Sequence, residues 1–590
     1  MNYQTSVGTR RIACPAAILT FLSVLVPLAG AQNKSPVAKP PKTPPHPKLV
    51  VLLVVDQMRA DYVEKFRGQW AGGLRRLVAE GAWFRDAAYP YAATETCVGH
   101  ATISTGALPA THGMISNEWF DRKLQKTVTC TDDSKVKNLG YAGASVTGGN
   151  SASKMLVPAF ADELKFQTGG GTRVVTFSLK ARAAITMGGR LGDAVTWFDA
   201  DVGAWTTSSA YPVAAFVEEF AKAHPVAGDY GTTWAPMLPA SAYLYDATAT
   251  GAVPPAGFGA AFPHRLRGKP DSREPDPVFY DQWHTSPYAD TYLTRIAEKA
   301  VDKLKLGTHL GTDFLAVSYS SVDYVGHAFG PRSWEIQDVL ARLDQDLAEL
   351  FAHLDEKVGR GNYVVALSAD HGVVPIPEDL QKAGMDAGWL NIESVKEHIE
   401  KSLEPFNYAK PAVAEVSASG VYFTPGTYDK LKNDPAALRA VLEAMQSVPG
   451  VAHVYRAEEL EDRPATKSSI RTAEANSFFK VRSGDVLIVP KAYWPWDSST
   501  PASPRQYGTT HGTPHYYDQR VPVLLMGFGV RPGEYFQAIT PADIAPTLAA
   551  LCGITLAPRD GRVLAEALRI PRAEYPVPNP ARAAASPKQP

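Results

Sequence analysis

The chain has 590 residues, of which 45% are hydrophobic and 20% charged, an ordinary globular composition with ample material for a large core. Its formal net charge of −1, with no long Lys/Arg tract, excludes bulk charge as a basis for nucleic-acid binding. Beyond the N-terminal region no stretch offers ~18 uninterrupted apolar residues, so the mature protein is expected to lack stable membrane insertion.

At the N-terminus, Arg10 and Arg11 precede an apolar stretch from Ile12 to Leu28, and Ala29-Gly30-Ala31 follows. A positive end, an apolar middle and small residues before the cut describe a secretory signal peptide, residues 1–31. An uncleaved anchor is the alternative, disfavoured by the short run and by Pro15 and Pro27. The expected location is periplasmic or secreted. Residues 32–47 (QNKSPVAKPPKTPPHP) read as an extended Pro/Lys-rich tether, 48–570 as the main folded domain, and 571–590 as a disordered tail. Cys14 leaves with the signal. An oxidising compartment permits one disulfide, for which Cys97–Cys130 is the plausible pair; three unpaired buried thiols are the alternative. Cys552 sits in an apolar run and reads as core.

Five short, continuously apolar runs follow: Leu49–Val55, Val174–Leu179, Phe314–Tyr319, Tyr363–Leu367 and Val521–Met526. Each has the length and β-branched or aromatic character of a strand buried on both faces. Helical patterns lie between and after them, at Gly73–Glu80, Tyr292–Leu306, Trp334–Glu356 and Pro541–Leu551. Alternating strands and helices predict an α/β fold with a doubly wound, mostly parallel sheet. The stretch 377–504 breaks the rhythm and reads as a cap-like insertion.

In such sheets ligands gather at the carboxyl ends of the strands. Asp56 follows the first run and Lys180 the second; Asp323 lies just past the third, and Asp370-His371 follow the fourth. Asp323-x-x-x-His327 supplies a carboxylate and an imidazole from one segment, and His511 in GTTHGTPH adds another imidazole. Mixed Asp/His sets suit zinc, which takes nitrogen and oxygen ligands in low coordination, better than magnesium. His100 and His112 are not required as ligands; His515 is an outer-shell candidate.

The segment ATETCVGHATISTG is rich in hydroxyls, which need activation to act as nucleophiles. The stretch TCVGHATISTGALPATHGMISNEW resembles the nucleophile region of the phosphate-irrepressible alkaline phosphatases, on the phosphodiesterase/nucleotide-pyrophosphatase-like branch of the alkaline phosphatase superfamily. The resemblance continues in SLKARAAIT and the D-x-x-x-H…D-H…H series, in the expected order from Val51 to about Gly553. It implies an alkaline phosphatase-type fold with Thr96 as nucleophile and with Asn117, Lys180 and Arg182 gripping the phosphoryl oxygens. It implies two zinc ions, one held by Asp323, His327 and His511, the other by Asp56, Thr96, Asp370 and His371. It implies in-line attack and a phosphothreonine intermediate during hydrolysis of phosphate monoesters.

The expected partner is a small-molecule phosphate ester, and the expected state a monomer. A phosphodiesterase or nucleotide pyrophosphatase with the same dinuclear core is the nearest rival; Lys180 and Arg182 favour the doubly charged monoester. A sulfatase is disfavoured because Cys97 is followed by Val98-Gly99-His100-Ala101, not by a C-x-P-x-R-like signal. A phosphoglycerate mutase would typically be cytosolic, without a signal peptide. A non-catalytic, zinc-stabilised binding protein is the alternative from another class.

Overall fold

A computed structural model describes residues 46–461 and 469–569. The expected signal peptide, nearly all of the tether and the tail lie outside the described residues. Eight strands of the main sheet come before residue 370. They are β1 (Leu49–Val55), β2 (Ala82–Ala87), β3 (Asn138–Gly140), β4 (Val174–Ser178), β5 (Ala194–Asp199), β6 (Ala204–Ser208), β7 (Asp313–Tyr319) and β8 (Tyr363–Ser368). Four strands then form an antiparallel sheet of their own within the stretch 377–504. They are β9 (Val413–Ser417), β10 (Gly420–Phe423), β11 (Val451–Arg456) and β12 (Val486–Pro490). The last two, β13 (Val523–Gly527) and β14 (Gly533–Ile539), return to the main sheet. Its order is β14-β2-β13-β8-β1-β7-β4-β5-β6-β3.

The centre of this sheet is parallel: β1 pairs with β7 and β8, and β4 with β7 and β5, all in one direction. Both faces of β1 are buried. Leu49, Val51, Leu53 and Val55 enter one core cluster, and Val50, Leu52 and Val54 enter another. Alternate residues of a strand point to opposite faces, so an uninterrupted apolar run is what a sheet covered twice requires. Helices α1 (Gly73–Glu80), α2 (Thr96–Thr105), α3 (Ala181–Gly188), α4 (Pro287–Leu304), α5 (Ser321–Phe329), α6 (Trp334–Leu354) and α8 (Ile544–Cys552) surround these strands, whereas α7 (Ser469–Ser477) packs through Ala475 on Leu487 of β12. Leu74, Leu293 and Leu340 pack on one face; Ile103, Ile544 and Leu548 pack on the other.

The expected strand at Val521–Met526 forms as β13, but antiparallel to both neighbours. The reason is its approach. The preceding segment runs along the carboxyl edge, where Thr509 Oγ1 donates to Val374 O and Gly372 N donates to Asp518 O. A strand entered from that edge, with no crossover helix to carry the chain back, must run the other way.

Cys97 and Cys130 form a disulfide, and Cys552 is free and buried. The bridge joins α2 to the end of a hairpin whose strands are Glu118–Asp121 and Lys126–Thr129. It closes a loop across a sequence separation of 33 residues. The chain-entropy relation gives about 3–4 kcal/mol for a loop of that size. The Cys97→Ser/Cys130→Ser double variant should lose stability of that order in urea unfolding. A loss under ~1 kcal/mol would mean that the unfolded chain is little restrained by the bridge.

Candidate active site

Asp56, Lys180, Asp323, Asp370 and His371 all lie just past carboxyl ends of adjacent parallel strands. The topology therefore brings them together. Asp323, His371 and His511 form one set whose ligand atoms all lie within 4.8 Å of one another; Asp56, Asp370 and His371 form a second. His371 belongs to both. Its Nε2 is 3.5 Å from Asp56 Oδ1 and 3.4 Å from Asp370 Oδ2, and its ring stacks on that of His511 with centroids 3.5 Å apart. His327 falls outside either set, although its Nε2 is 3.3 Å from Asp323 Oδ1. His515 joins neither; its Nε2 lies 2.9 Å from the Pro490 carbonyl.

The three histidines share one arrangement. His327 Nδ1 faces Thr509 O at 2.8 Å, His371 Nδ1 faces Gly372 O at 2.9 Å, and His511 Nδ1 faces Thr94 O at 2.8 Å. A carbonyl oxygen only accepts, so each Nδ1 carries the proton and each Nε2 presents a lone pair. Metal-binding imidazoles are commonly oriented in this way. His371 Nε2, Asp56 Oδ1 and Asp370 Oδ2 are buried and make no hydrogen bond. This donor set, three imidazole nitrogens and three buried carboxylates, fits zinc.

Electrostatics favour cations here. Burial raises the Asp56 carboxyl well above its ordinary range, and the Asp323 and Asp370 carboxylates add to that, against Lys180. Lys180 Nζ lies 2.6 Å from Asp56 Oδ2 and 2.5 Å from Asp323 Oδ2. Burial opposes its charge, but Asp323 and Asp56 outweigh it and hold the ammonium above its usual value. The expected phosphate-gripping lysine thus sits between carboxylates of the two sets.

Thr96 opens α2, and its Oγ1 is buried without a hydrogen-bond partner. Its carbonyl accepts from His100 Nδ1 at 2.8 Å, and that nitrogen is also 3.2 Å from Asp370 Oδ2. Gly99 explains how α2 comes so near: a Cβ there would meet Asp370 O at 2.1 Å. Thr94, by contrast, donates to the Thr513 carbonyl and is engaged. Asn117 Oδ1 accepts from Cys97 N at 2.9 Å, and Asn117 N donates to Glu95 Oε2 at 2.6 Å. Arg182 is the second residue of α3, and its Nε is buried without a partner.

Three neighbours escape sequence reasoning. His100 belongs to neither ligand set but touches Asp370, and its i+4 spacing from Thr96 on one helix is the available signal. Gln57 donates from its backbone to Asp370 and from its side chain to Asp323. Glu95 receives Asn117 N and the Ser116 hydroxyl.

The architecture is that of the alkaline phosphatases, a mixed α/β fold on a large, mostly parallel sheet. A crystal structure of the alkaline phosphatase PafA superposes with a TM-score of 0.77 at 31% identity, covering 89% of this chain and 99% of that one. Among curated proteins, the alkaline phosphatase PhoV of Synechococcus elongatus is 32% identical over 560 residues, 92% of this chain and 96% of its own length. The alkaline phosphatase PafA of Elizabethkingia meningoseptica is 32% identical over 547 residues, with the same coverage. The family described as type I phosphodiesterase / nucleotide pyrophosphatase matches residues 50–516. The chain belongs to that family, on its alkaline phosphatase branch. Among the described residues no helix is long and apolar enough to cross a membrane.

Residues leading to Thr96 are braced by α7. Ser477 Oγ accepts from Ala92 N at 2.8 Å and from Ala93 N at 3.0 Å. On the same helix, burial pushes the Glu474 carboxyl from 4.5 up to about 8. A carboxyl raised on folding keeps its proton in the folded chain and loses it in the unfolded one, so stability falls as pH rises between those values. The Glu474→Gln variant should remove that slope. Its advantage over the wild type in urea unfolding should grow from pH 4.5 and level off above pH 8, at on the order of 5 kcal/mol given 1.36 kcal/mol per unit. A pH-independent difference would refute the assignment.

Proposed function

We infer that this protein hydrolyses phosphate monoesters to an alcohol and inorganic phosphate, with Thr96 as nucleophile and two zinc ions as cofactors. The observation that carries the reading is a buried, unpartnered Thr96 Oγ1 at the start of a helix that packs directly on Asp370. Asp323, His327 and His511 would hold one ion; Asp56, Asp370, His371 and Thr96 would hold the other. When bound, the ions supply Lewis acidity, polarising phosphoryl oxygens and favouring ionisation of oxygen nucleophiles at neutral pH.

Thr96 Oγ1 attacks phosphorus in line, the ester P–O bond breaks, and the alcohol departs. Water then cleaves the phosphothreonine and restores the hydroxyl. Asn117 is fixed through Oδ1 on Cys97 N, which frees its amide donors for a non-bridging oxygen. Arg182 brings a guanidinium whose Nε has no other partner, and such a group suits two-point contact with phosphate. Lys180 adds a positive charge at the same edge. These groups stabilise charge on the transferred phosphoryl group. Two cationic side chains match the doubly charged monoester better than the singly charged diester.

Residues 1–31 carry the reading of a periplasmic or secreted enzyme, which we take to act as a monomer on small phosphate esters. A diesterase has in its favour the description of the family itself. Zinc-loaded protein should therefore show a higher kcat/KM on p-nitrophenyl phosphate than on bis-p-nitrophenyl phosphate; a diester preference would sink the monoesterase reading. The Thr96→Ala variant should keep its fold and at least one zinc ion while losing activity by orders of magnitude. Unchanged turnover in that variant would exclude Thr96 as nucleophile, and loss of metal without loss of turnover would exclude a catalytic metal.

A further inference from the structure

We propose that Gln57 is a positioning residue that locks Asp323 for the metal ion it helps to hold, a role that rests on the zinc reading above. Gln57 follows Asp56 and is buried. Its backbone lies at φ 66°, the left-handed region that favours glycine. A side chain there is a conformational burden, so its retention calls for a compensating contact. That contact is a hydrogen bond of 2.7 Å from Nε2 to Asp323 Oδ1. Because a carboxylate only accepts, the amide must present its NH2 group to Asp323.

The remaining amide oxygen also carries information. Gln57 Oε1 is buried and without a partner. It fits only because residue 326, between Asp323 and His327 on α5, is glycine: a Cβ there would stand 1.8 Å from Oε1. The amide thus threads between α5 and the end of β1. Asp323 is held from two sides, by Gln57 on Oδ1 and by Lys180 on Oδ2. The backbone of Gln57 serves the other set, since its N–H donates to Asp370 Oδ1 at 3.0 Å. One residue therefore steadies both sets with separable groups: the side chain acts on Asp323, the main chain on Asp370.

Separability makes the role testable. Gln57→Gly deletes the amide, keeps the N–H and relieves the backbone, so folding stability should hold or rise. Deleting such an outer contact typically costs 10–100-fold in metal affinity. Chelator-competition titration should show that loss at one zinc ion of the two, with the other within a few-fold of wild type. Gly326→Ala, which crowds Oε1 while leaving residue 57 intact, should reproduce the selective loss. Both variants need a thermal unfolding curve beside the zinc titration. Zinc binding at wild-type strength in both variants would overturn the role of the side chain. Equal loss at both ions with a lowered Tm would overturn it in favour of a general packing role. A wild-type chain that binds fewer than two zinc ions would overturn the zinc reading itself, a result distinct from either.

Discussion

Three carboxylates, Asp56, Asp323 and Asp370, are buried at one edge of the sheet and face one another. Concentrated negative charge out of water is costly unless cations and donors meet it. Much of the surrounding structure serves that need. Lys180 bridges Asp56 and Asp323. Asp370 Oδ1 accepts from the backbone of Gln57 and of His371. The three imidazoles are turned by carbonyls so that lone pairs, not protons, point toward the carboxylates. Lone pairs do not neutralise carboxylates; a cation between the two does. The cluster is therefore hard to account for as packing alone, and straightforward as a seat for metal ions.

The parallel sheet is what makes such a cluster buildable. Parallel strands end at the same edge, so residues hundreds of positions apart in sequence arrive together. This is also why much of the site was legible in the sequence. β1, β4, β7 and β8 are buried on both faces and announce themselves as apolar runs, and the polar residues just past them line the candidate site. Strand β14 gave no such signal, because most of its residues are exposed at the sheet's edge. The reversal of β13 was hidden for a different reason: direction depends on the path of the preceding loop, which apolar pattern does not encode. His371 lying between the sets, with His327 at their margin, likewise depends on distances that spacing cannot supply.

Local chemistry explains the other residues that escaped. Gln57 looks like an ordinary polar residue after a strand; its left-handed backbone and contact across 266 positions to Asp323 exist only in the folded chain. His100 fits a helical pattern as a core residue, and it is indeed fully buried. What sets it apart is that Gly99 lets α2 settle onto Asp370. The glycine of the T-C-V-G-H motif is thus a packing requirement, and the place of Thr96 follows from it.

Asn117 shows how the proposed substrate contact and the proposed nucleophile are made one unit. Its side-chain oxygen accepts from Cys97 N, its N–H donates to Glu95, and its carbonyl accepts from Cys130 N at 2.8 Å. Cys97 and Cys130 are themselves bridged. Both partners on the helix side, Glu95 and Cys97, flank Thr96 directly. Any displacement of α2 along its axis would therefore carry Asn117 with it, and the distance between the Thr96 hydroxyl and the amide would hardly change. Catalysis by positioning tolerates errors well below 1 Å. A covalent tie and three hydrogen bonds around one threonine are a way of meeting that tolerance in a protein expected to work outside the cytoplasm, where disulfides persist.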